Sequence, residues 1–174
     1  MTEPWTAPDV GRPIAPFTSD EREMLDGYLD FQRATLLWKC AGLTGEQLAV
    51  RSAEPSNMSL LGLVRHMAWV ERWWFQVNAA GRDLPLLFQT EEDDDFDFNG
   101  ADPAAAAEAF ATFAAECEAA RQAVAELSLE HTVPNKRRGE VSIRWIYLHM
   151  IEEYARHNGH ADLLRERIDG RIGQ

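Results

Sequence analysis

The sequence has few cysteines, few basic residues relative to acidic ones, and no long apolar run. Its 174 residues include two cysteines, 17 Lys and Arg, and 29 Asp and Glu, which give a formal net charge of −12. Such a negative field repels phosphate backbones, so we expect no binding to nucleic acid. No apolar run approaches the roughly 20 residues that span a bilayer, and the N-terminus lacks the features of a signal peptide. We therefore expect a cytoplasmic protein without membrane contacts.

The two cysteines, Cys40 and Cys117, lie in different segments and lack the spacing of metal ligands. A cytoplasmic setting disfavours a structural disulfide, and free cysteine is among the most buried residue types. We predict that both are buried thiols of the core.

The length and composition indicate one compact domain. A chain with 45% hydrophobic and 26% charged residues is typical of a globular protein that buries a single core. We expect this domain to cover residues 18–170. Residues 1–17 contain four prolines, which prevent a continuous helix, and we predict an extended N-terminal arm there.

Apolar periodicity predicts four long helices and no β-strand, which is an all-α fold. The helices cover approximately residues 20–40, 60–80, 103–127 and 143–167. Residues able to cap them are Thr18 or Ser19, Ser56 or Ser59, Asp102, and Ser142.

The second and third helices are joined by a long crossover without sustained periodicity, residues 83–102. It contains an acidic run, residues 91–97. Because the neighbouring carboxylates repel one another, we expect this run to form a solvated loop. Four helices with one extended crossover indicate a four-helix bundle.

The last helix carries a carboxylate and several imidazoles on one face. At about 100° per residue, His149, Glu153, His157 and His160 fall within about 80° of one another, on a stripe that also holds apolar residues. His66 lies in the middle of the apolar face of the second helix. Burying an ionised carboxylate costs several kcal/mol unless it is paired or coordinates a metal. The sequence therefore indicates a metal site inside the bundle.

Spacing alone leaves the set of ligands open. Glu153 and His157 lie one turn apart, and a third ligand from a facing helix would complete a facial set with open positions. The same geometry allows His149 with Glu153, or His157 with His160.

Two sequence blocks resemble a known superfamily. LVRHMAWVERWWF, SIRWIYLHMIEEYARHNGHADLLRERIDG and the four-helix layout are similar to the DinB/YfiT-like metalloproteins, in the branch of the mycothiol-dependent maleylpyruvate isomerases. The resemblance covers about residues 17–170 and implies a divalent metal held by His66, Glu153 and His157. It places His160 beside the ligands and His149 in the pocket, and it implies a frequent homodimer.

The resemblance also implies an activity. Members with a known activity are transferases or isomerases that use a low-molecular-weight thiol such as mycothiol or bacillithiol. A metal that binds the thiol sulfur lowers its pKa, which supplies a thiolate nucleophile at neutral pH. We expect a thiol-dependent S-transferase or isomerase for a small electrophile, with Zn²⁺ as the first choice of metal and Ni²⁺, Fe²⁺ or Mn²⁺ as alternatives.

Further residues are candidates for the pocket. Trp69, Trp73 and Arg144 are candidates for binding the cofactor, and Arg156 is a candidate for binding or catalysis.

Two other functions fit the same residues. In a metal-dependent hydrolase, His160 or His149 would carry the proton of a metal-bound water. In a non-catalytic, stress-related binding module, the metal would only join the second helix to the fourth.

Overall fold

The computed structural model describes residues 4–173 and is mostly helical. Its α-helices are α1 (Glu21–Cys40), α2 (Gly45–Leu48), α3 (Leu60–Glu71), α4 (Phe96–Asn99), α5 (Ala106–Val124) and α6 (Ile143–Asp169). A π-helix, Arg72–Ala79, continues α3, and a 3-10 turn, Pro103–Ala105, leads into α5. Two short strands, β1 (Thr132–Asn135) and β2 (Gly139–Ser142), form an antiparallel hairpin before α6. Residues 1–3 of the predicted arm lie outside the described residues.

Three of the predicted caps are confirmed. The side chains of Ser59 and Ser142 accept backbone N–H groups at the starts of α3 and α6, and Asp102 caps the turn that precedes α5. The first N–H groups of a helix have no acceptor within the helix, and each of these short polar side chains supplies one.

The cap of the first helix differs from the prediction. Asp20, rather than Thr18 or Ser19, accepts the N–H of Glu23 at 2.9 Å. A carboxylate caps as well as a hydroxyl does, and its charge interacts favourably with the N-terminal end of the helix dipole. The helix therefore begins at Glu21.

The β-hairpin was not predicted. Val133 pairs with Val141, and both side chains are buried, whereas most of their neighbours are exposed. One inward residue per strand is too little alternation to produce a recognisable period. The prediction of no β-strand was therefore wrong for this polar connection.

The four long helices pack mainly as two pairs, α1 with α6 and α3 with α5, and α3 also contacts α6. Both cysteines are free and lie in the core, as predicted. Burial raises the pKa of the Cys40 thiol to about 12 and that of Cys117 further, so neither is a ready thiolate. The largest fully buried side chains include Leu29, Leu36, Leu63, Met67, Phe75, Phe113, Ile146 and Tyr154.

A buried polar network joins all four long helices. Arg33 of α1 donates two hydrogen bonds to Glu71 of α3, at 2.7 and 2.6 Å. The hydroxyl of Tyr154 on α6 donates to the same carboxylate at 2.7 Å and lies 3.9 Å from the sulfur of Cys117 on α5. The network satisfies a fully buried carboxylate and fixes the helices against one another.

Within residues 4–173, no helix combines the length and the apolar character needed to cross a membrane.

Candidate metal centre

Three side chains from two helices converge on one point. His66 of α3 and Glu153 and His157 of α6 each offer a ligand atom, and these atoms lie within 4.8 Å of one another. His157 Nε2 is 3.4 Å from Glu153 Oε2, and the rings of His66 and His157 are 4.8 Å apart between centroids. The described part of the chain contains no other group of three potential ligands this close together. Two imidazoles and a carboxylate are donors that suit Zn²⁺ and related divalent ions.

The site is reachable from solvent. His66 is the one residue of α3 that is not buried, and its side chain is 22% exposed. The Glu153 side chain is 21% exposed and that of His157 is 13% exposed. The three side chains therefore lie at the edge of the core rather than deep within it.

The outer nitrogen of His66 is held by a carboxylate. His66 Nδ1 lies 2.7 Å from Asp97 Oδ2, and the Asp97 side chain is only 2% exposed. An ionised carboxylate can only accept hydrogen bonds, so we assign the hydrogen to Nδ1. This assignment leaves the lone pair of Nε2 free to bind a cation.

The expectation of a solvated acidic loop over residues 91–97 is wrong for Asp97. This residue is buried in α4, whereas most of its acidic neighbours are exposed. The only signal in the sequence is the flanking pair Phe96 and Phe98, which interrupts the acidic run with apolar residues. Such a short pattern does not predict a helix.

The electrostatics of the site keep Glu153 ionised. A hydrogen bond with His157 lowers the pKa of Glu153, and the charges of His157, His149 and His66 act in the same direction. Partial burial of the carboxylate opposes this effect. Glu153 is therefore available as an anionic ligand at neutral pH.

His160 lies against the far side of His157. The two Nδ1 atoms are 3.4 Å apart. Burial lowers the pKa of His160, and the nearby charges of His157 and Arg156 lower it further. Arg156 itself is exposed.

His149 lies on the opposite side of the ligand set, within an aromatic cluster. Its ring stacks on Trp145 and meets the edge of Trp74, with centroid distances of 4.8 Å in both cases. Its Nε2 is 3.9 Å from Glu153 Oε1. His149 is therefore a neighbour of the ligands, on the turn of α6 that precedes them.

Trp69 and Trp73 come three and seven residues after His66, in α3 and in the π-helix that continues it. Their rings are 5.5 Å apart, with Trp69 buried and Trp73 40% exposed. Trp73 belongs to the π-helix, where Arg72 and Gln76 both donate to Glu116 of α5. Single π-helical turns are frequent at functional sites. No pattern in the sequence predicts this local change of helix type.

The structure does not bring Arg144 to the ligands. It pairs with Glu21 and Glu130, each at 2.6 Å, near the start of α6. Arg144 lies nine residues before Glu153, which corresponds to roughly 13 Å along the helix axis. Its guanidinium instead ties α6 to α1 and to the loop before the hairpin.

A comparison with protein families identifies a related family. The model of a family described as mycothiol-S-transferase matches residues 24–170. This range includes His66, Asp97, Glu153 and His157. No curated protein shows significant similarity to the chain.

Proposed function

The chain belongs to the mycothiol S-transferase family, a DinB-like family, and we propose that it joins mycothiol through its sulfur to a small electrophile in a metal-dependent reaction, in which the thiol loses its proton as the new sulfur–carbon bond forms. An isomerisation that proceeds through the same thiol is the related alternative. The observation that carries the metal dependence is the convergence of His66, Glu153 and His157 within 4.8 Å.

The proposed ligands are Nε2 of His66, the carboxylate of Glu153 and an imidazole nitrogen of His157. This set fits a divalent cation because it combines neutral nitrogen donors with one negative oxygen donor and comes from only two helices. We propose Zn²⁺, with Ni²⁺, Fe²⁺ or Mn²⁺ as alternatives. When bound, such a cation lowers the pKa of a thiol that coordinates it, which supplies the thiolate at neutral pH.

The surrounding residues have defined tasks in this proposal. We propose that His149 or His160, which flank the ligands, accepts the thiol proton. Trp73, exposed next to Trp69, offers a flat apolar face for the cofactor or the electrophile. The exposed Arg156 is available to an anionic group of the substrate.

The pairing of α1 with α6 and of α3 with α5 supports a DinB-like four-helix bundle with a crossover between α3 and α5. We propose a single domain over residues 18–170 and a homodimer as the assembly. A cytoplasmic location suits a reduced thiol cofactor and two free cysteines.

The test combines metal analysis with activity. We expect near-stoichiometric metal in protein purified without chelators, and consumption of a small electrophile that requires added mycothiol. His66→Ala, Glu153→Ala and His157→Ala should each lower the metal content well below one per chain, because each removes one of three ligands. Inductively coupled plasma mass spectrometry measures the metal directly.

Matched controls come from the same chain. His131→Ala changes an exposed histidine and Glu152→Ala changes the exposed neighbour of Glu153, so both should retain the metal. We expect His149→Ala to retain most of it. Full occupancy in the Glu153 variant would contradict the ligand assignment. Turnover without any thiol would indicate a hydrolase, and metal that affects only folding would indicate a binding module.

A further inference from the structure

We propose that Asp97 is a positioning residue that sets the tautomer and the ring orientation of His66, so that α4 of the crossover is part of the site. This inference rests on the proposed metal centre and names a residue outside the three ligands. It is carried by the hydrogen bonds and the ring contact that surround the side of His66 facing away from Glu153 and His157.

Both oxygens of Asp97 are used. Oδ2 accepts from His66 Nδ1 at 2.7 Å, and Oδ1 accepts the backbone N–H of Phe98 at 2.9 Å. Because Asp97 is 1% exposed, water does not compete for these positions. A buried carboxylate with two fixed acceptors requires a hydrogen on Nδ1, which directs Nε2 toward the ligand set.

Arg65 holds Asp97 in this place. Its Nε donates to the backbone oxygen of Asp97 at 2.8 Å, and its Nη2 donates to that of Phe96 at 3.0 Å. Arg65 directly precedes His66 on α3. The proposed ligand His66 and the residue that holds Asp97, Arg65, therefore lie on the same turn of α3. This links the position of α4 to that of the His66 imidazole.

A ring contact restricts His66 further. The ring of Phe98 stacks on His66 at 5.4 Å between centroids, with 29° between the planes. Phe98 can come this close because Gly62 has no side chain: a Cβ there would lie 2.6 Å from Phe98 Cδ1. Asp97 and Phe98 thus hold two different surfaces of the same imidazole.

This arrangement places the orientation of His66 under the control of Asp97. Carboxylates that accept from the outer nitrogen of a ligating histidine fix its tautomer and raise its basicity, and their loss lowers metal affinity by about 10–100-fold. The same bond prevents a ring flip that would turn Nδ1 toward the site.

The first experiment measures Zn²⁺ affinity by competition with a chromogenic chelator. Asp97→Asn keeps the shape, but its single amide oxygen cannot accept both hydrogen bonds. We expect it to bind Zn²⁺ about 10–100-fold more weakly than the wild type. Asp95→Asn is the control, since it makes the same charge change on an exposed side chain two residues away and should leave the affinity unchanged. Equal affinity of the Asp97 variant and the wild type would overturn the inference.

The second experiment uses the wild type alone, so it does not depend on whether a variant folds. Nitrogen-15 NMR of the metal-free protein reports which ring nitrogen of His66 carries the hydrogen. We expect Nδ1–H in the wild type, and a loss of this preference in Asp97→Asn. An Nε2–H tautomer in the wild type would overturn the inference.

The two proposals fail in different ways. If the wild type binds no Zn²⁺, or if His66→Ala does not weaken binding, the metal centre is wrong, and the NMR result still decides the tautomer of His66. If the wild type binds Zn²⁺ through the three ligands and Asp97→Asn binds equally well, only the role of Asp97 is wrong.

Discussion

Glu71 shows how much one side chain can matter in this molecule. It is 0% exposed, yet it carries a carboxylate that accepts three hydrogen bonds, two from Arg33 and one from Tyr154. Tyr154 directly follows the proposed ligand Glu153. The network therefore fixes α3 relative to α6 close to the candidate metal centre.

We predict that Glu71→Gln lowers the free energy of unfolding by about 3–5 kcal/mol, because it removes the buried counter-ion of Arg33 and leaves only the ion pair with the partly exposed Asp30. Urea unfolding monitored by circular dichroism measures this change. Arg121→Ala, which breaks ion pairs of a 42% exposed side chain, is the control and should cost at most about 1 kcal/mol. A similar decrease in the free energy of unfolding in both variants would show that the buried ion pair stabilises the protein no more than the exposed ones.

Among the elements, α4 is one of the two shortest α-helices, and its position depends on its neighbours. It has four residues and no side-chain cap, so its position depends on docking to α3 rather than on its own helical stability. Gly62 gives Phe98 the space to dock, and Arg65 binds the α4 backbone.

We predict that Gly62→Ala displaces α4, since the new Cβ would meet both the ring of Phe98 and its Cα, the latter at 3.2 Å. Overpacking of this kind costs about 1–3 kcal/mol. Hydrogen exchange measured by mass spectrometry should become faster over residues 93–102.

Gly159→Ala is the matched control for this change. Gly159 lies within α6, and a Cβ there meets nothing within 4 Å. Alanine should therefore stabilise the protein by up to about 1 kcal/mol through its higher helix propensity. Unchanged exchange over residues 93–102 in Gly62→Ala would show that α4 does not need the close approach.

At the scale of the whole molecule, the three proposed ligands connect α3 with α6. These helices belong to different pairs of the fold, since α3 packs mainly on α5 and α6 mainly on α1. A cation at this point would therefore link the two pairs and stabilise the folded chain relative to the unfolded one.

We predict that Zn²⁺ raises the temperature of unfolding. At a free concentration 100 times the dissociation constant, binding to the folded state contributes about 2.7 kcal/mol. Differential scanning calorimetry with and without a chelator measures the shift. His157→Ala should lose most of it and His131→Ala none, and an equal shift in the two variants would place the stabilising ion elsewhere.

The local features of this protein could be predicted from its sequence. Capping by Ser59, Asp102 and Ser142 follows from short-range hydrogen bonding, and the long helices follow from apolar periodicity. The helical spacing of Glu153 and His157 also lies within one turn, which made both of them candidate ligands without a structure. The same spacing left His149 and His160 as alternatives, and the resemblance to a known family decided between them. Their role as metal ligands together with His66 stays a prediction that the geometry supports.

Contacts between residues far apart in the chain could not be predicted from the sequence, because they depend on how the segments pack. His66 and Asp97 are 31 positions apart, and their bond depends on the docking of a short helix that has no period of its own. The burial of Asp97, the ion pairs that hold Arg144 near Glu21, and the hairpin before α6 likewise arise from packing between segments. Periodicity reports which face of one element is apolar, whereas the partner of that face depends on the free energy of the whole fold.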